Sequence, residues 1–352
     1  MGGKLTGKAH PQGRAFQAEP SRTGTPANAI CYDGVMKQRR ALHRMLPTLL
    51  AIPGALLFVL MLPMTQTFFL PPGEALTELI ETARTTDPPA GPVQYDVEYD
   101  RDLFRRYYLD VYGPLDKTAG KDSRGFSGAA PVIVFFHGGS WFRGDKVSIR
   151  IVDRFLRRMR EEGWFVVSVN YTTSALRGIG GAVDQAATAL AWVHDHAADY
   201  GWDPTRIGLY GVSAGGHVAL MAASVPAERA THALPAFVFA ECAPTDLIGM
   251  REGDAFESAG SFRFFPERRL RYLSPISHVS LDVPPVLLFH GDRDETVHID
   301  QSRRYADALV AAGGAATFVA WAGGDHAFLN YTDRQWYRQE TVALEWMREE
   351  FS

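Results

Sequence analysis

From residue 93 onward the apolar and polar positions fall into a repeating order. V-Q-Y-D-V-E-Y-D (93–100) and F-R-R-Y-Y-L-D-V-Y (104–112) alternate, as antiparallel strands with one wet face do. P-V-I-V-F-F (131–136) is an unbroken β-branched and aromatic run, which suits a strand covered on both faces. A helical pattern follows over 147–160. Strand 164–171 then precedes a helix over 182–199, strand 207–210 precedes a helix from Ser213, and strand 236–240 leads into an irregular stretch, 243–284. Strands 285–290 and 316–321 precede helices over 299–312 and 333–349. A hairpin followed by strands alternating with helices predicts an α/β domain over 93–352. Its sheet is doubly wound, mostly parallel and of about eight strands, with 243–284 as a small lid-like insertion.

The chain before this domain has another character. Residues 1–44 lack apolar periodicity and end in the basic K-Q-R-R-A-L-H-R (37–44), and are expected to form a disordered tail. No charge occurs from Met45 to Gly73, a stretch long enough for a hydrocarbon core that needs about 20 residues. Residues 45–73 are therefore expected to be a transmembrane anchor or a signal segment, followed by a linker over 74–92. The basic flank would stay cytoplasmic. The domain is then expected outside the cytoplasm, membrane-associated through 45–73 or secreted if that segment is cleaved.

Composition narrows the classes. At 46% hydrophobic and 22% charged the chain is globular in character, and a net charge of −4 gives no footprint for nucleic acid. Two cysteines, Cys31 and Cys242, exclude a disulfide framework and a Cys-rich metal site. Cys242 ends the run A-F-V-F-A-E-C and reads as a small buried hydrophobe.

In such sheets ligands gather at the carboxyl ends of the strands. Four loops there carry chemistry: H-G-G-S-W (137–141), G-V-S-A-G (211–215), H-G-D-R-D-E-T-V (290–297) and G-G-D-H-A-F (323–328). A serine, later acids, and a final histidine stand in the order that nucleophilic acyl chemistry uses. Ser213 is the candidate nucleophile on a sharp turn, where Gly211 and Gly215 remove side chains that would collide. His326 would take its proton and return it to the leaving group, and an aspartate would fix the imidazole tautomer. Negative charge on the carbonyl oxygen would be received by the backbone N–H of Ala214 and by the H-G-G-S loop through Gly139 and Ser140.

Each residue has a plainer reading. A lone G-x-S-x-G among 33 glycines is weak. A phosphate cradle, however, lacks the Lys-Ser/Thr pair of a P-loop. Asp294 lies further along its loop than Asp292 and is better placed to reach a histidine, while Asp292 would cap the turn. His137 is expected to order its own loop, His217 to pack at the sheet face, His290 to be a satisfied buried histidine and Asp325 to be a local turn residue. Trp141 would either wall a substrate pocket or cover the core.

The five segments 137–146, 167–171, 211–219, 290–297 and 324–328 together resemble α/β-hydrolase carboxylesterases. The nearest branches are the hormone-sensitive-lipase-like and feruloyl-esterase-like ones, which share H-G-G-x-W and G-x-S-A-G-G. The resemblance implies hydrolysis of small carboxylic esters without a cofactor or metal, with Ser213 as nucleophile, Asp294 as acid and His326 as base. Ser140 stands where those branches usually have a third glycine. Any lid is expected in 243–284, where Phe256, Phe262, Phe264 and Phe265 would line an acyl pocket or the core. Amide hydrolysis, as in formamidases or exopeptidases, and acyl transfer to an alcohol use the same residues. A non-catalytic binding protein would usually have lost one of the three.

Overall fold

The computed structural model describes residues 89–350, apart from 104, 116–128, 174–176, 225–233, 253–261 and 263–264. The tail and the charge-free stretch 45–73 lie outside the described residues. Among those described, no helix is long and apolar enough to cross a membrane.

Eight strands form one sheet in the order β1-β2-β4-β3-β5-β6-β7-β8. They are β1 Val93–Arg101, β2 Arg106–Tyr112, β3 Ala130–Phe136, β4 Phe165–Val169, β5 Trp202–Val212, β6 Phe237–Glu241, β7 Val286–Gly291 and β8 Ala316–Trp321. β2 pairs antiparallel with both β1 and β4, and every pair from β4 to β8 is parallel. The main helices are α1 Asp153–Glu161, α2 Gly178–Asp195, α3 Ala214–Ser224, α4 Asp300–Ala311 and α5 Asp333–Glu350.

The unbroken apolar runs have their cause in two cores, one on each face of the sheet. Val132, Val134 and Phe136 of β3 face one cluster with residues of α2, α3 and α4, while Ile133 and Phe135 face the other with α1 and α5. β7 divides likewise, with Val286 and Leu288 on one side and Leu287 and Phe289 on the other. A strand buried on both faces has no polar position to show, so its pattern is continuous.

The helix expected over 147–160 is broken. Its first part is a 3-10 turn, Lys146–Ile151, capped by the Asp145 side chain on the Val147 N–H and by Ser148 on the Asp145 N–H. Lys146 N–H donates to Asn170 Oδ1 at 2.6 Å and Lys146 O accepts from Ser168 Oγ at 2.8 Å. These bonds to the end of β4 tie the turn down, and α1 begins only at Asp153. The irregular stretch 243–284 contains short helices, Leu247–Glu252 and Glu267–Tyr272, and the 3-10 turn Pro275–His278.

β3 is flanked by β4 on one side and β5 on the other. Chain direction across the sheet reverses there, so the loops leaving β3 and β5 diverge and open a crevice at their carboxyl ends.

Candidate active site

Ser213 occupies the one-residue corner between β5 and α3, with φ +56°. A non-glycine residue held in this region stores strain, and the surroundings must impose it. Here they do. Ser213 N–H donates to Glu241 O on β6 at 2.7 Å, and Ser213 O accepts from His217 N–H at 3.1 Å. The corner also brings backbones into contact. A Cβ on Gly211 would lie 2.3 Å from the Gly215 carbonyl carbon, and one on Gly215 would lie 2.0 Å from Phe136 O.

The loops after β7 and β8 meet this corner. His326 Nε2 is 3.0 Å from Ser213 Oγ, and His326 Nδ1 is 2.8 Å from Asp294 Oδ2. Asp294 Oδ1 accepts from the N–H groups of Thr296 and Val297 at 2.9 and 2.8 Å. Burial alone would raise this carboxyl, but hydrogen bonds from His290 and His326 and the electrostatic attraction of both rings hold it well below the usual carboxylate range. Because Asp294 Oδ2 only accepts, His326 Nδ1 carries the proton and Nε2 is free to accept from the serine. Asp292 is elsewhere: its Oδ1 accepts from Gly323 N–H at 2.7 Å. Asp325 and Asn330 exchange backbone-to-side-chain bonds at 3.2 Å within their own turn.

The loop after β3 lies against the corner, where a Cβ on Gly138 would meet Ser213 Cβ at 3.7 Å. Gly139, Ser140 and Trp141 have successive positive φ values of +123°, +52° and +63°. Among the described residues, no protein acceptor meets the N–H of Gly139, Ser140 or Ala214. Three unsatisfied donors thus stand beside the serine, two in this loop and one at the start of α3.

Two histidines brace the loop. His137 stacks on Tyr171 at 4.2 Å, and its carbonyl accepts from the Tyr171 hydroxyl at 2.6 Å. Trp141, only 2% exposed, donates Nε1–H to His217 Nδ1 at 3.1 Å, while His217 Nε2 faces Leu273 O at 2.7 Å. Burial lowers both His137 and His217 to about 4, so each is neutral near pH 7. Trp141 also packs edge-on against Phe262 at 5.8 Å, which favours the core-covering reading of that residue. Phe262 in turn packs on Phe265 at 6.3 Å. Phe256 and Phe264 fall outside the described residues.

Cys242, His290 and Asp294 bring a thiol, an imidazole and a carboxylate within 4.8 Å of one another. They do not fit a metal. Both His290 nitrogens and both Asp294 oxygens are already hydrogen-bonded, and burial pushes the Cys242 thiol far up, which keeps it protonated.

Glu241, whose carbonyl holds the serine corner, is buried with Tyr210 Oη 3.2 Å from its Oε2. Burial pushes its carboxyl up to about 8, with Glu340 adding to the rise and Tyr210 opposing it. The unfolded chain gives up this proton near the ordinary value of about 4.3. Between those limits the folded state binds more protons, so the contribution of this group to stability falls as pH rises and levels off above about 8. Glu241→Gln is expected to melt with a flatter pH dependence over this window, and above wild type at about pH 8. Thermal melts across the window measure this; parallel curves for the two proteins contradict it.

A serine corner after β5, an acid after β7 and a histidine after β8 of such a sheet define the α/β-hydrolase fold. The chain belongs to the BD-FAE family, whose sequence profile matches residues 121–309. It is 30% identical over 240 residues to a Mycobacterium tuberculosis protein called probable carboxylic ester hydrolase LipM, covering 62% of this chain and 51% of that one. Esterase LipQ of the same organism is 31% identical over 263 residues, covering 70% and 58%. The chain thus spans about half the length of these curated relatives. Among solved structures, esterase 2 of Thermogutta terrifontis phosphonylated by sarin superposes with a TM-score of 0.63 at 25% identity, covering 75% of this chain and 96% of that one.

Proposed function

We propose that this protein is a serine carboxylesterase acting on small carboxylic esters through an acyl-enzyme. The observation that carries the reading is the continuous line of hydrogen bonds from Ser213 Oγ through His326 to Asp294.

Ser213 Oγ attacks the ester carbonyl carbon as His326 Nε2 takes its proton, and the carbonyl electron pair moves onto oxygen. The N–H groups of Gly139, Ser140 and Ala214 stabilise that oxyanion, and the positive end of α3 adds to the field. Collapse breaks the bond to the alkoxide, which leaves with the proton from His326. Water then attacks the acyl-enzyme by the same route, giving the carboxylic acid and free Ser213. Asp294 keeps the Nδ1–H tautomer and stabilises the imidazolium in both steps.

The named relatives support ester substrates. Structures of the Thermogutta esterase are described as propionate bound and butyrate bound, which favours short acyl chains for this one also. The protein is expected to cleave p-nitrophenyl acetate and butyrate with higher kcat/KM than the octanoate or palmitate. A spectrophotometric panel of these esters tests it. Failure to cleave the short esters contradicts the reading.

A further inference from the structure

His290 is the last polar side chain before the loop that carries Asp294, and it is fully buried at the end of β7. Its pattern is that of an ordinary satisfied core histidine. Its partners are not ordinary. Nε2 lies 2.8 Å from Val297 O and 3.2 Å from Asp294 Oδ2. Both neighbours only accept, so Nε2 carries a proton and shares it between them. Nδ1 lies 2.7 Å from Ser302 Oγ, in the first turn of α4.

From this we infer that His290 is a positioning residue for the reaction, holding Asp294 in the orientation that meets His326. The inference rests on the esterase reading above. Asp294 Oδ1 is fixed by two backbone N–H groups of its own short loop, whereas Oδ2 is shared by the two imidazoles, His326 and His290. A carboxylate held only through Oδ1 can pivot about that end. The His290 bond to Oδ2 removes the pivot, and its bond to Val297 O anchors the same loop from the opposite side. The Ser302 hydroxyl fixes the ring plane, so the path runs from α4 through β7 to the base. Fixing a ligand or catalytic group through its neighbours in this way is how outer groups tune reactive ones.

The competing view, that His290 merely fills the core, makes a different kinetic forecast. His290→Phe keeps the ring and removes the donor. Its kcat on p-nitrophenyl acetate is expected to fall about ten- to a hundredfold with KM little changed. In an Asp294→Ala background the same change is expected to cost less than about twofold, because there is no carboxylate left to position. His290→Gln, whose amide N–H reaches the Nε2 position, is expected to recover most of the lost kcat. Should His290→Phe fail to give a cooperative melt, Ser302→Ala carries the cycle instead, with a smaller loss that likewise disappears without Asp294. An unchanged kcat in His290→Phe, an equal loss in both backgrounds, or no recovery by glutamine overturns the proposal while leaving the esterase reading intact. No ester cleavage by the wild type overturns both.

Discussion

Ser213→Ala is expected to lower kcat for p-nitrophenyl acetate by about a million-fold, with KM nearly unchanged. The size follows from the geometry. Ser213 Oγ is the only atom removed, and it is the atom 3.0 Å from His326 Nε2. The residual rate would come from the N–H groups of Gly139, Ser140 and Ala214, which still stabilise the oxyanion formed by attacking water. Alanine keeps the Cβ, so it inherits the same φ of +56° and the same backbone bonds to Glu241 O and from His217 N–H. Its melting temperature should therefore match that of the wild type, which separates chemistry from folding. Steady-state kinetics and a thermal melt on one preparation check both halves. A mutant that retains more than about one hundredth of the rate would point to another nucleophile.

The second large effect distinguishes two aspartates in one loop. Asp294→Asn is expected to lower kcat about ten-thousandfold, because an amide can present its NH2 to His326 Nδ1 and favour the wrong tautomer. Asp292→Asn is expected to leave kcat within about twofold, since the asparagine carbonyl can still accept from Gly323 N–H. Its cost should appear only in stability, at about 1 kcal/mol or less for one exposed hydrogen bond. Parallel kinetics on the two variants decide. A comparable loss in Asp292→Asn alone would reverse the assignment.

Much of this fold was legible because its causes are local. The continuous run 131–136 reports two covered faces directly, since every one of its six positions is buried. The alternation in 93–112 marks the two antiparallel strands but not their burial: β2 is paired on both sides and covered almost throughout, and Tyr95 of β1 is exposed where the register shifts between Gln94 and Val97. The candidate site was legible through order: each loop leaves the carboxyl end of a strand, so residues more than a hundred apart must converge. The spacing of Ser213, Asp294 and His326 thus carried information that the five residues G-V-S-A-G did not.

What stayed hidden depends on contacts between distant side chains. Nothing near Trp141 or His217 in sequence reports their bond across 76 residues, which ties the loop after β3 to α3. The break before α1 arises because Lys146 is held by Asn170 and Ser168 rather than by helix propensity. His290 looked like core because its burial is real; only its partners distinguish it. Nothing in the sequence marks Gly138, where a Cβ would come within 3.2 Å of Val212 O and 3.7 Å of Ser213 Cβ.

The central claim is that Ser213 forms the covalent intermediate. The most direct measurement is reaction with diethyl p-nitrophenyl phosphate, followed by intact mass, peptide mapping and residual esterase activity on the same sample. The account predicts one diethylphosphoryl group per chain, on the peptide carrying Ser213, with activity lost in proportion to labelling. Full inactivation with the label on another residue, or full activity with Ser213 labelled, would contradict it.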